Sequence, residues 1–252
     1  MDKLSKALQN YSVVILAAGT GSRMGKLGKI KPKALFEIKN ETILKNIIKK
    51  LQLRGLKEIN IILGFKYKLI LKEIKNIKNL NFFYIKMKDF INTGSVYSFY
   101  KFKDIWLKFK RKPIIMLHAD ILFDIKFLDN LLLSNKENLI GVKKETKQKL
   151  RKNSFVVEHD DKMRVKKIDL YKKSNNTSQQ IICINKFSAK LYLEFLVFLK
   201  QYFRKNSKNI TWEYPLSKFL TKKKAYILQN QKFNWFNINT LQDLNNAKKF
   251  IK

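Results

Sequence analysis

Cysteine is almost absent from this chain, and long apolar runs are missing altogether. Cys183 is the only cysteine among 252 residues, which excludes an internal disulfide framework and a zinc site built from cysteines. No apolar run approaches the roughly 18 residues needed to span a bilayer. The first residues also lack the successive charged, apolar and cleavage regions of a signal peptide. We therefore expect a soluble, cytoplasmic protein without a membrane span.

Acidic residues are scarce as well, since 19 of them stand against 54 lysines and arginines, giving a formal net charge of +35. A basic nucleic-acid binding module is one interpretation of this charge. The other is a generally lysine-rich composition, because the lysines are spread over the whole length. Their dispersal favours the second interpretation, and we expect no specific nucleic-acid partner. In either case the charge favours polyanionic ligands such as nucleotides and phosphorylated substrates.

Glycine and proline are also rare, with eight and three residues, so their positions are informative. Residues 17–33 (AAGTGSRMGKLGKIKPK) contain four of the glycines and one of the prolines. They follow an apolar, β-branched run at 11–17, which predicts a strand. The segment after it predicts a loop in which backbone geometry or ligand approach requires glycine.

Strand-length apolar runs alternate with amphipathic helical patterns along the chain. Further strands are predicted at 58–64, 80–86, 113–123, 179–187 and 225–229, with a hairpin that turns at 160–161. Helices are predicted at 42–55 with Thr42 and Gly55 as caps, at 67–77, 95–110 and 188–206, around 211–220 and from Thr240. This alternation predicts an α/β fold with a mixed, mostly parallel sheet covered by helices on both faces. Because no linker or repeat divides the chain, we expect a single domain over residues 1–252.

The glycine-rich segment has the features of a phosphate-binding loop. Residues 19–23 (GTGSR) follow a predicted strand and can form a nest of backbone N–H groups. The segment is not a Walker A loop, because the pattern G-x-x-x-x-G-K-[ST] does not occur in it. It is not a dinucleotide fingerprint either, because Met24 stands where glycine or alanine is required.

The same segment resembles the signature of the sugar-nucleotide and cytidylyltransferase superfamily, L-A-A-G-x-G-[ST]-R-[ML] followed by K-P-K. Here the two parts are residues 16–24 (LAAGTGSRM) and 31–33 (KPK). The resemblance implies a Rossmann-like, GT-A-like nucleotidyltransferase fold. It further implies transfer of a nucleotidyl group from a nucleoside triphosphate with release of pyrophosphate. The N-terminal half would bind the nucleotide and the C-terminal half the acceptor.

Two later segments resemble one branch, the bacterial CTP:phosphocholine cytidylyltransferases and their relatives. Residues 92–98 (NTGSVYS) resemble N-N-x-Y-S-[LM], and residues 62–66 (ILGFK) resemble V-x-G-Y-K. The branch includes enzymes that act on phosphoglutamine and on aminophosphonates. The resemblance thus implies transfer of CMP from CTP to a phosphorylated small amine or alcohol. The CDP-linked product would serve surface polysaccharide or capsule decoration.

Roles for the matched residues follow from the resemblance. Arg23 would hold the β- and γ-phosphates that leave, and Lys33 would reach the α-phosphate, where negative charge builds up during transfer. The nucleotide would be bound by Leu16, Ala17, Ala18, Gly19, Thr20, Gly21, Ser22, Gly64, Asn92 and Ser95.

The resemblance also implies a divalent metal, Mg²⁺ or, in its place, Mn²⁺. The family carries an Asp at the end of a central strand, and residues 118–123 (HADILF) supply Asp120, whereas His118 is expected to be structural. The second ligand lies in W-x-[DE]-I-[DN]-T-x-E-D-L, where this chain has Asn237 and Asn239 in the acidic positions. An amide oxygen can ligate Mg²⁺ without contributing charge. Asn239 is our first choice and Asn237 the second; the alternative is that both only cap the last helix.

The candidates for the acceptor site lie in the second half of the sequence. Trp212, Glu213 and Tyr214 stand together and could hold an amine through cation–π and charge contacts, with Glu158 as a further candidate. Core packing is the alternative role for these aromatic residues. A sugar-1-phosphate nucleotidylyltransferase using UTP, dTTP or GTP remains the alternative activity.

Overall fold

The computed structural model describes residues 3–109, 111–146, 150–151, 154–172, 177, 179–229 and 234–250. Its helices are α1 (Lys3–Gln9), α2 (Gly25–Ile30), α3 (Ile43–Leu53), α4 (Tyr67–Ile74), α5 (Ser95–Lys101), α6 (Lys103–Trp106), α7 (Ile125–Leu133), α8 (Ala189–Lys205), α9 (Glu213–Leu220) and α10 (Leu241–Phe250). Its strands are β1 (Ser12–Ala17), β2 (Glu37–Ile38), β3 (Glu41–Thr42), β4 (Glu58–Leu63), β5 (Asn81–Lys86), β6 (Ile114–His118), β7 (Ile121–Phe123), β8 (Leu139–Lys144), β9 (Phe155–His159), β10 (Val165–Leu170), β11 (Gln179–Phe187), β12 (Tyr226–Gln229) and β13 (Trp235–Asn237).

The main sheet has the order β10-β9-β11-β6-β1-β4-β5, and β8 joins β11 and β12 beside this path. β1 pairs in parallel with β4 and with β6, and β4 pairs in parallel with β5. The antiparallel strands, β9 to β11, come from the second half of the chain. The prediction of a mixed, mostly parallel sheet is confirmed.

Helices cover both faces of this sheet, and β1 shows how the sequence produces the two cores. Val13 and Ile15 pack into the core covered by α3, α4, α7 and α10. Val14 and Leu16 pack into the core covered by α5, α6, α8 and α9. Successive side chains of a strand point to opposite faces, so an uninterrupted apolar run serves two cores at once. Burial of each such side chain contributes about 1.5–3 kcal/mol.

The ends of α3 follow the predicted capping residues. The Thr42 hydroxyl accepts a hydrogen bond from the Lys45 N–H, which satisfies one of the free donors of the first turn. Gly55 has φ +76°, a backbone conformation that glycine adopts without strain just beyond a helix end. Thr42 is confirmed as the N-cap, whereas the C-cap is Arg54 and Gly55 is the residue after it.

The predicted strand at 113–123 is instead two strands, β6 and β7, separated by a turn at 119–120. β7 leaves the main sheet and pairs antiparallel with β13, so that Asn237 lies opposite Ile121. The predicted helix at 95–110 is likewise divided into α5 and α6. The break after β6 places Asp120 at the carboxyl end of the parallel strands.

No helix in the described part of the chain combines the length and apolarity that a bilayer span requires.

Candidate active site

A cavity of about 280 Å³ lies at the carboxyl ends of β1 and β6. Ligands of open α/β sheets gather at this edge. The lining includes these residues predicted from the sequence: Leu16, Ala17, Ala18, Gly19, Thr20, Gly21, Ser22, Arg23, Lys33, Ser95, Asp120 and Asn239. Thus folding brings the loop, the K-P-K lysine, the strand-end aspartate and the late asparagine to one cavity.

Close backbone packing shapes the loop. Gly21 has φ +67°, and a Cβ there would lie 2.9 Å from Cγ of Lys33. A Cβ on Gly28 would lie 2.4 Å from the Gly21 carbonyl oxygen, and one on Gly64 would lie 2.5 Å from the Ala18 carbonyl oxygen. At Gly28 and Gly64 the clash is with backbone oxygens, so a larger residue there would require the backbone to move. Gly64 lies against the loop at Ala18 and is not among the residues that line the cavity.

Four polar side chains that line the cavity contact one another. The Lys33 ammonium forms an ion pair with Asp120 and donates a hydrogen bond to the Asn239 side-chain oxygen at 3.0 Å. Arg23 donates to the same Asn239 oxygen at 2.7 Å. The two cations expected to contact phosphates and two of the expected metal ligands therefore form one network.

The backbone around Asn239 is held by hydrogen bonds. Asp243 accepts from the N–H groups of Asn239, at 3.0 Å, and Thr240, at 2.8 Å, and it is ion-paired with Arg151. The Ile238 N–H donates to the Asp120 carbonyl oxygen at 2.8 Å. Asn239 is thereby positioned next to the strand end that carries Asp120.

The charges around Asp120 keep it ionised. Burial is the largest influence and would raise the pKa of Asp120. The positive charge of the Lys33 ammonium and the hydrogen bond from it outweigh burial, so the pKa lies below its usual value. Desolvation in turn lowers the pKa of His118. Asp120 is therefore an anion at neutral pH, and His118 is neutral.

The donor set fits a magnesium ion. Oδ1 of Asp120 is buried and has no hydrogen-bond partner among the described residues, and Asn239 offers a second oxygen to the same cavity. The described residues contain no cluster of three or more His, Cys, Asp or Glu side chains that could bind a metal by themselves. Mg²⁺ commonly uses one or two carboxylates together with substrate phosphates, which is consistent with so small a protein contribution. Asn237 does not line the cavity, which favours Asn239 as second ligand.

Trp212 and Glu213 lie behind the cavity wall. Trp212 has no exposed surface, and its ring centre is 6.5 Å from that of His118, which does line the cavity. Burial raises the pKa of Glu213 to about 7. Four buried polar atoms in this region lack a partner within the described part of the chain: His118 Nε2, Asp120 Oδ1, Trp212 Nε1 and Glu213 Oε2. Since native interiors leave few such atoms unpaired, their concentration indicates a ligand or ordered water here.

Three other predicted residues lie outside the lining. Asn92 donates its side-chain amide to Asp89 and is exposed. Tyr214 is 41% exposed and packs edge-on against Phe155. Glu158 lies on β9 opposite Lys167. Their roles in binding stay predictions.

The lining also includes residues that were not predicted as site residues, namely Pro32, Ala34, Phe90, Ile91, Thr93, Gly94, Ser98, His118, Ala119 and Asn209. Half of them lie in or next to segment 92–98, and the resemblance of that segment to the cytidylyltransferase pattern was the available signal. His118 was expected to be structural, and its place in the wall is new information. The Ser95 hydroxyl accepts a hydrogen bond from the backbone N–H of Trp212 at 3.1 Å, which connects this segment to the start of α9.

Comparison with known proteins shows the family of this chain. The model of a family described as nucleotidyl transferase matches residues 12–252. A CTP:phosphoglutamine cytidylyltransferase from Campylobacter jejuni is 30% identical over 251 residues, covering 92% of this chain and 97% of the relative. The resemblance to the cytidylyltransferase branch is thus confirmed.

Two solved structures share the fold. The inositol-1-phosphate CTP transferase from T. maritima has a TM-score of 0.78 at 18% identity, covering 94% of this chain and 93% of the other. The CTP:phosphocholine cytidylyltransferase from Streptococcus pneumoniae has a TM-score of 0.74 at 16% identity, covering 96% and 99%. At these identities the two structures support the fold alone, and they confirm the predicted fold class.

Proposed function

This chain belongs to the nucleotidyl transferase family, and we propose that it transfers CMP from CTP to a phosphorylated small amine or alcohol. A phosphate oxygen of the acceptor attacks the α-phosphorus of CTP. The bond between the α-phosphorus and the bridging oxygen breaks, and pyrophosphate leaves. The observation that carries this proposal is the meeting of Arg23, Lys33, Asp120 and Asn239 in a cavity walled by the glycine-rich loop.

Positioning and cationic stabilisation are what such a transfer requires from a protein. Lys33 neutralises the charge that builds up on the α-phosphate, and Arg23 holds the phosphates that leave. The N–H groups of Gly19, Thr20 and Gly21 donate no hydrogen bond to another described residue, so they are available to phosphate oxygens. Asp120 and Asn239 would hold Mg²⁺, with Mn²⁺ as a substitute. When bound, the ion supplies further neutralisation of the triphosphate.

The choice of CTP and of the acceptor class follows the cytidylyltransferase relatives. Phosphocholine, phosphoglutamine and aminophosphonates each carry a nitrogen group in addition to the phosphorus group, and the Glu213 carboxyl behind the cavity wall has the charge that complements a cationic nitrogen. We further propose that the CDP-linked product serves cytoplasmic steps of surface polysaccharide or capsule decoration.

Pyrophosphate release measured with four nucleoside triphosphates, each crossed with a set of phosphorylated amines, alcohols and sugar-1-phosphates, tests the proposal. We expect turnover only with CTP and a phosphorylated small amine or alcohol. Asp120→Asn serves as the inactive control. Turnover with a sugar-1-phosphate and UTP, dTTP or GTP would replace this proposal by the sugar-nucleotide alternative.

A further inference from the structure

The Lys33 ammonium contacts both side chains that we take as metal ligands. It contacts Oδ2 of Asp120 and donates to Oδ1 of Asn239 at 3.0 Å. Arg23 donates to that same Asn239 oxygen at 2.7 Å. The side chains of Lys33 and Asp120 are only 15% and 16% exposed, so water screens their attraction weakly. A cation of the protein thus already neutralises the one carboxylate of the site.

The Lys33 ammonium lies within hydrogen-bond distance of both Asp120 Oδ2 and Asn239 Oδ1. A divalent ion that approached these two oxygens would therefore come close to the ammonium. The ion must therefore displace the ammonium or tolerate strong repulsion from it. Asn239 provides no negative charge to compensate, and its oxygen already accepts two hydrogen bonds. The Lys33 stem also has limited freedom, because it packs against Gly21, where a Cβ would lie 2.9 Å from Cγ of Lys33.

A triphosphate changes this competition. It carries several negative charges into a cavity that Arg23 and Lys33 both line, and it attracts both cations more strongly than one carboxylate and one amide do. Their movement towards the phosphates releases Oδ2 of Asp120 and Oδ1 of Asn239. We propose that Lys33 keeps the metal position closed until a nucleotide enters, so that the nucleotide and the metal bind with strong positive coupling. This inference rests on the proposed function in taking Asp120 and Asn239 as the metal ligands.

Metal binding to the nucleotide-free protein tests the inference directly. Free Mn²⁺ is titrated with protein and followed by electron paramagnetic resonance, which requires no turnover. Lys33→Met keeps the length of the side chain and removes its charge. We expect this variant to bind Mn²⁺ at least about tenfold more tightly than the wild type, the scale of losing one nearby like charge. Equal affinity of the two proteins would overturn the inference.

Lys31→Met is the matched control, because Lys31 pairs with Glu37 and does not line the cavity. Lys31→Met removes the same charge two residues away, and it should bind Mn²⁺ with the affinity of the wild type. If it gains as much Mn²⁺ affinity as Lys33→Met, the effect is one of general charge and the inference is overturned. The double variant Lys33→Met with Asp120→Asn should lose the gain, and its persistence would place the ion elsewhere. Lys33→Gln should repeat the Lys33→Met result, and thermal unfolding followed by circular dichroism checks that each variant is folded.

The coupling itself is measured with a CTP analogue that has a methylene bridge between its α- and β-phosphorus atoms. The analogue also binds Mn²⁺ in the absence of protein, and this contribution is measured separately and subtracted. The remaining gain in Mn²⁺ affinity on addition of the analogue should be at least about tenfold larger for the wild type than for Lys33→Met. An equal effect in both proteins contradicts the role of Lys33. Failure of CTP turnover would refute the proposed reaction but leave the nucleotide-free Mn²⁺ result unaffected, so the two failures are distinguishable.

Discussion

The ammonium group of Lys33 forms an ion pair with the carboxylate of Asp120, 87 residues further along the chain. Lys33 begins the short helical turn after Pro32, and Asp120 lies in the turn between β6 and β7. Their pairing links the nucleotide loop to the predicted metal ligand. Substitution of either residue should therefore affect both functions of the site.

Lys33→Met should lower kcat by about 10² or more, because one preorganised cation at the developing charge is lost. Steady-state kinetics with CTP and the best acceptor measure the effect. The Lys33 side chain is only 15% exposed, so methionine is chosen over alanine because it retains the apolar stem. A variant with near-normal kcat would remove Lys33 from the reaction.

Turnover should require Mg²⁺ or Mn²⁺, stop on addition of a chelator and fall severely in Asp120→Asn. Asn239→Asp adds a negative charge beside Asp120, so it should lower the Mg²⁺ concentration for half-maximal activity. The measurement is a Mg²⁺ titration of pyrophosphate release. Asn237→Asp is the matched comparison, since Asn237 does not line the cavity and should leave the titration unchanged. Metal-independent turnover would contradict the role given to both ligands.

Gly64→Ala and Gly19→Ala should separate support of the loop from contact with the nucleotide. A Cβ on Gly64 meets the Ala18 oxygen at 2.5 Å and Cβ of Phe90 at 2.8 Å, whereas one on Gly19 meets nothing within 4 Å. Gly64→Ala should cost about 1–3 kcal/mol of unfolding free energy through overpacking. Gly19→Ala should unfold like the wild type but raise the KM for CTP, because Gly19 lines the cavity. Chemical denaturation together with kinetics checks both, and a destabilised Gly19→Ala would contradict the open space beside it.

Acceptor binding should improve as the pH rises through about 7, where Glu213 loses its proton. A carboxylate attracts an ammonium group and a neutral carboxyl does not. The KM for the acceptor should therefore fall between about pH 6 and 8, one unit on either side of that pKa, while the KM for CTP changes little. Glu213→Gln should raise the acceptor KM and remove this pH dependence. If the wild-type dependence persists in that variant, another group is responsible.

The same group makes a prediction about stability, with a definite sign. The folded protein raises the pKa of Glu213 from its usual 4.5 to about 7, so the folded state binds more protons than the unfolded state between these values. The contribution of Glu213 to the free energy of unfolding should therefore fall as the pH rises through that interval. Glu213→Gln should lack this loss, which a comparison of unfolding free energies at several pH values measures.

The sequence predicted the components of the site better than their contacts. Arg23, Lys33 and Asp120 were found because each stands in a short segment with a specific pattern. The contact of Asn239 with both cations depends on the pairing of β7 with β13, and a strand of three residues is too short for a periodicity signal. Trp212 looked suited to a surface pocket, but it is wholly buried because α9 packs it against His118 and Phe187.

Local propensity also failed at α2. Gly25–Ile30 contains two glycines, and the sequence therefore predicted a loop. A helix forms there because tertiary packing outweighs the propensity: Gly28 lies against the carbonyl oxygen of Gly21, where no side chain fits. The glycine that weakens the helix is the one that allows its contact with the nucleotide loop.

The choice of base is the most demanding prediction, and it is CTP. Cytosine presents a 4-amino donor where uracil presents a carbonyl acceptor. Leu16 to Gly19 and Thr93 to Ser95 line the cavity, and we expect their backbone groups to read that edge. A carbonyl placed to accept from the amine would be left unpaired by UTP, at a cost of about 1–3 kcal/mol. CTP should therefore exceed UTP by about ten- to hundredfold in kcat/KM. Both purine nucleotides should be poor substrates. Their two-ring bases are larger than cytosine, and the cavity of about 280 Å³ must also hold ribose and phosphates. Competition between the nucleotides at equal concentration measures the preference, and a win for UTP, dTTP or GTP would favour the sugar-1-phosphate alternative.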